Sequence, residues 1–485
     1  MEGKRRQQFL TVIKVLGLLL IIESGFMFLS LIPAAYYGEG DFLPLFISGL
    51  ITLSFGLLGR IACRNVPTDI DKRLGMVIVS SIWIIMTIFG TLPYLLGACV
   101  PDLATAVFET VSGFTTTGAS NLEDVESLPK GIMFWRSLTH WIGGVGIVVI
   151  VISFIPFIGG GAMALFSAET TGPSKVRISP HIGETGKIIC TIYFVLTAIC
   201  CLVYCLCGMN FYDAINHAFS TLASGGFSTR SDSVAAFSPL LQYMMILFMI
   251  PAGVNFVLIY YCVKGQFSYL RKNEEFLFYI IGILVATICI FAWIYPQSLN
   301  TESALRAALF QTVSLFTSTG FVIADYTLWP IPAVLILILI MFSGAMSGST
   351  TGGMKLIRVL LLFKNAGRII KGGVHSKAYL PIKLDGKAVQ ENVMNNVMAI
   401  FLLFVLLLLI CIVMLLITGL GLEEAIGAAV CCTFNMGVGL GENGGFGSFA
   451  MIPQSAKWIL SVVMYLGRLE IATVIVLFMP SFWRR

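Results

Sequence analysis

The sequence predicts an all-α integral membrane protein. Four pseudo-repeats, each a span, a half-helix, a turn and a second span, surround a central pore, and two extra spans precede them. Composition, the lengths of the apolar runs and a recurring glycine turn carry this prediction. Of 485 residues, 57% are hydrophobic and only 11% charged, with mean hydropathy +0.92, whereas soluble domains are about 25% charged. Such a chain lacks the polar groups to cover a water-facing surface. That excludes a soluble enzyme, a disordered tail and a nucleic-acid-binding domain. The net charge of +5 matters less than where the charges fall.

The first apolar run, Phe9–Ile32, follows a basic start at Lys4, Arg5 and Arg6. It is long for a signal-peptide core, is interrupted by Lys14 and Glu23, and ends on a poor cleavage site, Pro33-Ala34-Ala35. It reads as a retained span. Phe42–Ala62, Met76–Leu96, Thr139–Ile158, Ile188–Cys207, Leu240–Val263, Phe276–Ile294, Pro332–Gly344 with a broken continuation, Met398–Ile417 and Trp458–Met479 follow. Each can cross a hydrocarbon core about 30 Å thick. Four shorter stretches lie between them: Leu103–Val111, Phe211–Leu222, Ser303–Ser314 and Leu422–Cys432. These cannot cross, and they read as re-entrant half-helices. The chain then divides into two N-terminal helices at 1–68 and four repeats at 69–165, 166–266, 267–375 (its second helix broken) and 376–485.

The basic residues test this topology. With the N-terminus in the cytoplasm and one crossing per long run, one side collects Arg64, Lys72, Arg73, Lys175, Arg177, Lys187, Lys264, Arg271, Lys272, the cluster Lys364 to Lys387, and Arg484-Arg485. The other keeps Lys130, Arg230, Arg306 and Lys457 in its loops. This positive-inside asymmetry survives only if the four short stretches return to the side they came from. Both termini are then cytoplasmic. Outer-loop acids such as Asp102, Glu126, Asp213 and Asp325 would concentrate cations at a pore mouth.

The turns repeat. Phe108-Glu109-Thr110-Val111-Ser112-Gly113-Phe114-Thr115-Thr116-Thr117-Gly118 aligns without gaps on Phe310-Gln311-Thr312-Val313-Ser314-Leu315-Phe316-Thr317-Ser318-Thr319-Gly320. Weaker copies read Ser224-Gly225-Gly226-Phe227 and Asn435-Met436-Gly437. Gly118, Gly225, Gly320 and Gly437 recur at roughly a hundred residues. Irregular backbone at membrane depth survives only where protein buries it or it lines a watery cavity. Four glycine turns about one axis would give a ring of carbonyl oxygens able to replace the hydration shell of a monovalent cation. Hydroxyls of Thr116, Thr117, Ser224 and Thr319 would add oxygens. These hard, neutral ligands suit an alkali cation. The twelve cysteines are dispersed, mostly in apolar runs, and read as small buried hydrophobes. No zinc spacing recurs among them or the four histidines.

These motifs, in this order, resemble the Trk/Ktr/HKT superfamily of potassium transporters, most closely its bacterial TrkH branch. The resemblance runs from about Met76 to the end of the chain, with the first two spans matching the additional N-terminal pair of that branch. It implies a bacterial inner-membrane protein that carries K+ as the transported ion, with no covalent cofactor. It also implies a selectivity filter at Thr116, Thr117, Gly118, Ser224, Gly225, Thr319, Gly320, Asn435, Met436 and Gly437. The expected partners are a second copy in a homodimer, a cytoplasmic nucleotide-binding regulatory subunit (TrkA-like) and the lipid bilayer. The stretch Lys364–Lys387 is a plausible docking surface for that subunit, though lipid headgroups explain its charge equally well.

After Pro332 the apolar run gives way to Ser343-Gly344-Ala345-Met346-Ser347-Gly348-Ser349-Thr350-Thr351-Gly352-Gly353, too flexible for a continuous helix. The resemblance implies a gate loop here, with Gly344, Ser347, Gly348, Ser349, Thr350, Thr351, Gly352 and Gly353 as its residues. A phosphate-loop reading fails because Met354 stands where lysine is needed. Arg468 lies inside an apolar run, and an intramembrane charge is a functional candidate. It is expected to act as an electrostatic barrier or as an anchor for the gate loop, against a packing pair with Glu470. Arg136 and His140 read as interface or mouth residues. The competing function is a cation-coupled (sodium or proton) secondary transporter, which would need carboxylates in its spans. Glu23 and Glu470 are the main candidates, and no carboxylate recurs with the repeat. An intramembrane enzyme would need a clustered base or metal site, which the scattered histidines do not supply.

Overall fold

A computed structural model describes residues 2–67, 70–146, 182–297, 300–374 and 380–483. Within them the regular structure is helical except for one small antiparallel hairpin pairing Lys383–Leu384 with Lys387–Ala388. The second half of the expected span Thr139–Ile158, and Lys175, Arg177, His181, His375, Arg484 and Arg485, lie outside the described residues.

Six long apolar helices are each able to cross a membrane: Glu2–Leu29, Phe42–Ala62, Lys72–Gly90, Ile182–Leu206, Glu274–Ile294 and Glu391–Ile417. Their lipid-facing flanks stay apolar and exposed, as at Leu202, Ile288, Leu402 and Val413. The N-terminal pair packs closely through glycine. An ideal Cβ on Gly17 would stand 2.8 Å from the Gly56 carbonyl oxygen, the kind of backbone approach small residues allow between helices in lipid.

The four expected short helices form as Leu103–Phe114, Phe211–Ala223, Thr301–Phe316 and Leu422–Phe434. They are 12, 13, 16 and 13 residues long. At about 1.5 Å per residue they are too short to cross. Asp102, Asn210 and Asn300 cap the first three by accepting backbone N–H bonds from Thr105, Asp213 and Glu302. Each short helix packs against the post-turn helix of the preceding repeat: Phe211–Ala223 on Lys130–Gly144, Thr301–Phe316 on Pro239–Ala252, and Leu422–Phe434 on Ile331–Met341. The first, Leu103–Phe114, packs on Gln454–Arg468 of the fourth. The circle therefore closes.

Two expected continuous spans are broken. Leu240–Val263 is two helices, Pro239–Ala252 and Phe256–Val263, bent by 104° across Gly253–Asn255. Trp458–Met479 lies within Gln454–Arg468 and the turns that follow Ala472, bent by 100°. Its break passes through Glu470 and Ile471 at φ 54° and 53°, strained positions for residues that carry a Cβ. The expected break in the third repeat is present, between Ile331–Met341 and Leu356–Val374. Three cations assigned to loops sit on helices instead: Lys130 as the first residue of Lys130–Gly144, Arg306 on the third short helix, paired with Glu302 at 2.9 Å, and Lys457 on Gln454–Arg468, buried and donating to Thr105 Oγ1.

Candidate ion-conducting site

Each short helix ends in the same conformation. One or two residues past its end the backbone is left-handed: Thr116 at φ 52°, Ser224 at 56°, Ser318 at 51° and Asn435 at 55°. Two residues on stands a glycine of positive φ: Gly118, Gly226 and Gly320 at 81°, Gly437 at 60°. The residue between returns its N–H to the short helix. Thr117 donates to Ser112 O at 2.9 Å, Gly225 to Ser220 O at 2.9 Å, Thr319 to Ser314 O at 2.8 Å and Met436 to Cys431 O at 3.0 Å. Orphan carbonyls at the helix end are thereby satisfied.

This geometry corrects the register of the second repeat. Gly226 is the counterpart of Gly118, Gly320 and Gly437, while Gly225 takes the place of Thr117, Thr319 and Met436. Two consecutive glycines hid the one-residue slip, and the shared pair Gly226-Phe227 and Gly320-Phe321 was the signal that could have revealed it.

The turns form a closed ring. An ideal Cβ would stand 1.7 Å from Gly225 O if built on Gly118, and 2.0 Å from Thr319 O on Gly226. On Gly320 it would stand 3.0 Å from Met436 O, and on Gly437 2.8 Å from Thr117 O. Each contact runs from one repeat to the next, and the last returns to the first. Gly118, Gly226 and Gly437 keep some accessible surface, whereas Gly320, Thr117, Gly225, Thr319 and Met436 are buried. The threonine hydroxyls brace the turns: Thr115 Oγ1 lies 2.8 Å from Thr117 Oγ1, and Thr317 Oγ1 lies 2.7 Å from Thr319 Oγ1. Asn435 Nδ2 donates to Thr117 Oγ1 at 2.8 Å, tying the fourth repeat to the first.

The glycine-rich loop before Leu356, with Arg468, meets the first residue of every turn. Arg468 Nη1 donates to Thr116 Oγ1 and to Thr350 O, both at 3.0 Å, and its Nη2 to Gly143 O at 2.8 Å. Thr350 Oγ1 lies 2.9 Å from Ser224 Oγ. Gly352 N donates to Ser318 Oγ at 2.9 Å, and an ideal Cβ on Gly352 would press within 2.6 Å of Asn435 Cβ. Ser349 and Thr351 pair through their hydroxyls at 2.8 Å. Gly344, Gly348 and Gly353 have φ of 54°, 77° and 72°, which only glycine adopts without strain.

The loop is also held from behind by residues sequence reasoning missed. The break in Leu240–Val263 is its dock: Met346 N donates to Gly253 O, Phe256 N to Gly348 O, both at 3.1 Å, and Asn255 Nδ2 to Ser347 O at 2.6 Å. Buried Glu275 accepts from Ser347 N at 2.7 Å and Ile357 N at 3.2 Å, clasping both ends. Glu470 forms an ion pair with Arg358, on the helix that follows the loop. Arg136 and His140 are fully buried beside the second turn, not at a mouth. No group of three metal-ligating side chains occurs among the described residues.

Comparison with known proteins agrees with this fold. A family described as "TrkH: Cation transport protein" matches residues 44–485. This chain belongs to the TrkH family. Among its TrkH relatives, the Trk system potassium uptake protein TrkH of Salmonella typhimurium is 36% identical over 486 residues, spanning 98% of this chain and 99% of that protein. The protein of the same name from Escherichia coli K12 is 34% identical over 483 residues, with 98% and 99% covered. The crystal structure of the potassium transporter TrkH from Vibrio parahaemolyticus superposes with a TM-score of 0.89 at 33% identity, covering 98% of this chain and 100% of that one. This TrkH-family chain is thus a multi-span membrane protein of the cation-transport class.

Proposed function

We propose that this chain carries potassium into the cell across the bacterial inner membrane through a gated, channel-like pore. The turns Thr116–Gly118, Ser224–Gly226, Ser318–Gly320 and Asn435–Gly437 are its filter. The observation that carries this reading is the closed ring, in which each filter glycine leaves room for the carbonyl oxygen of the next repeat. Ringed carbonyls substitute for water around an alkali cation. The driving force is the membrane potential, about 2.3 kcal/mol per charge per 100 mV. In this reading the repeats occupy 69–165, 166–266, 267–375 and 376–485, after the N-terminal pair at 1–68.

The loop Gly344–Gly353 and Arg468 are the gate. Supporting this, the guanidinium lies between the loop and the first turn, where its charge opposes a passing cation. A nucleotide-binding subunit acting on the cytoplasmic side, in a homodimer of this chain, regulates it. The relatives' printed assignment to a Trk system supports more than one component. The hairpin at Lys383–Ala388 offers a mechanical route, because Asp385 accepts the Glu274 N–H at 2.8 Å, one residue before Glu275.

The test is rubidium-86 uptake into potassium-loaded proteoliposomes, with sodium and lithium as competitors. Uptake blocked by potassium, and lost in Gly118→Asp and Gly320→Asp, is expected. If the intact protein is silent, deleting part of the Gly344–Gly353 loop should release flux. A silent deletion variant would contradict the channel reading.

A further inference from the structure

Behind the ring the repeats differ at one place. Nine residues before the filter glycines stand Glu109, His217, Gln311 and Ala428; two residues after them stand Ser120, Ser228, Val322 and Gly439. In the first two repeats these positions bond. Ser120 Oγ donates to Glu109 Oε1, and His217 Nε2 lies 3.0 Å from Ser228 Oγ. In the third, Val322 offers no hydroxyl, and both Gln311 side-chain polar atoms are buried with no hydrogen-bond partner. The fourth has no polar side chain at either position.

Arg136 joins the two braced repeats. Its Nε lies 3.7 Å from Glu109 Oε2, and its Nη1 donates to Ser228 O at 3.2 Å. Its guanidinium carbon sits 3.5 Å from the ring centroid of Phe227, the residue after Gly226. The His140 imidazole stacks on the same phenyl ring, centroids 3.9 Å apart. Arg136 and Glu109 are 1% and 0% exposed, so the pair is held out of water. A chain of contacts therefore runs from Ser120, just past the first filter glycine, through Glu109 and Arg136 to the backbone past the second.

We infer that the buried Glu109–Arg136 pair, with Ser120 and Ser228, determines cation specificity by fixing the spacing between the first two filter turns. A carbonyl ring favours a larger over a smaller ion only as far as its oxygens resist closing in, or as far as their number and field are held constant. Both demand a fixed frame. Between repeats one and two this frame is a buried charged pair, whereas past the third and fourth filter glycines it is made by single hydrogen bonds, Val322 N to Ser233 Oγ at 3.1 Å and the Tyr326 hydroxyl to Gly439 O at 2.7 Å. Glu109 and Arg136 touch no ion, so they are positioning residues. The inference rests on the filter reading above.

The test measures the potassium-to-sodium permeability ratio, from reversal potentials under bi-ionic conditions, with the full chain in bilayers. Glu109→Gln is expected to lower the ratio about tenfold, equivalent to roughly 1.4 kcal/mol. Arg136→Lys, which keeps charge but loses the planar fork, should lower it less. Val322→Ser gives Gln311 a partner and should raise it. Ser120→Ala should lower it while leaving the fold intact, and together with Val322→Ser it decides the matter should Glu109→Gln not fold. An unchanged ratio in both hydroxyl variants, alongside a changed ratio in Gly118→Ala, would overturn the brace and leave the filter standing. An unchanged ratio and flux in Gly118→Ala as well would overturn the filter reading itself.

Discussion

At Gly118 and Gly226 two constraints coincide. Each has φ of 81°, which costs a residue with a Cβ about 1–2 kcal/mol. Each also has a neighbouring repeat's carbonyl oxygen within 2.0 Å of where that Cβ would be. The second constraint is the larger, because the obstruction is backbone and the ring has no slack to move it. Gly118→Ala and Gly226→Ala are therefore expected to cut rubidium uptake at least about tenfold, more than 1.4 kcal/mol at the barrier. Gly367 provides the control. It lies within the helix Leu356–Val374, and nothing stands within 4 Å of its would-be Cβ. Gly367→Ala should leave uptake unchanged and raise stability by about 0.5–1 kcal/mol. Equal uptake in all three variants would show that the glycines serve only helix packing.

Among the elements, the loop before Leu356 depends most on its surroundings. It has little regular structure, so its position is set by Glu275, Asn255, the backbone groups freed at the Gly253 break and Arg468. Hydrogen bonds to a charged group contribute about 1.5–3 kcal/mol each. Glu275→Ala removes two of them and frees both ends of the loop. It should raise uptake measured without any regulatory subunit, and potassium should still compete better than sodium. Lower uptake with normal yield would mean that Glu275 keeps the path open instead.

The elements also show what sequence could and could not reveal. The short helices were legible because their length and their repetition are local properties, and the observed boundaries fall within three residues of expectation. The four glycine turns were legible for the same reason, apart from the slip between Gly225 and Gly226, where identical neighbours carry no register. The breaks at Gly253–Asn255 and Leu469–Ile471 were not legible. Pro251, Gly253 and Asn255 mark the first and Arg468 and Glu470 the second, yet the apolar run resumes past each, and the backbone bonds released there are taken up by the loop some ninety residues away, or by helix ends, as at Ile471 N to Leu466 O at 2.9 Å. Arg136 reads as an interface or mouth residue from its place ahead of the Gly143-Gly144-Val145-Gly146 run, whereas its partner Glu109 comes from a different helix, 27 residues earlier.

For the whole molecule, the cyclic packing of each short helix on the preceding repeat puts four unequal turns around one axis. Sequence identity among the repeats has decayed, yet the αL residue, the intervening N–H bond and the positive-φ glycine persist in all four. Those are the features a carbonyl ring requires, and side chains outside them are free to diverge, as Glu109, His217, Gln311 and Ala428 do. The central claim is that a cation sits inside this ring. The direct measurement is rubidium anomalous scattering from crystals of the full chain grown in rubidium salt. The account predicts a peak on the axis, enclosed by the carbonyl oxygens of Thr117, Gly225, Thr319 and Met436. A ring without rubidium, with the ion held instead beside a span carboxylate such as Glu23, would contradict it and favour a coupled transporter.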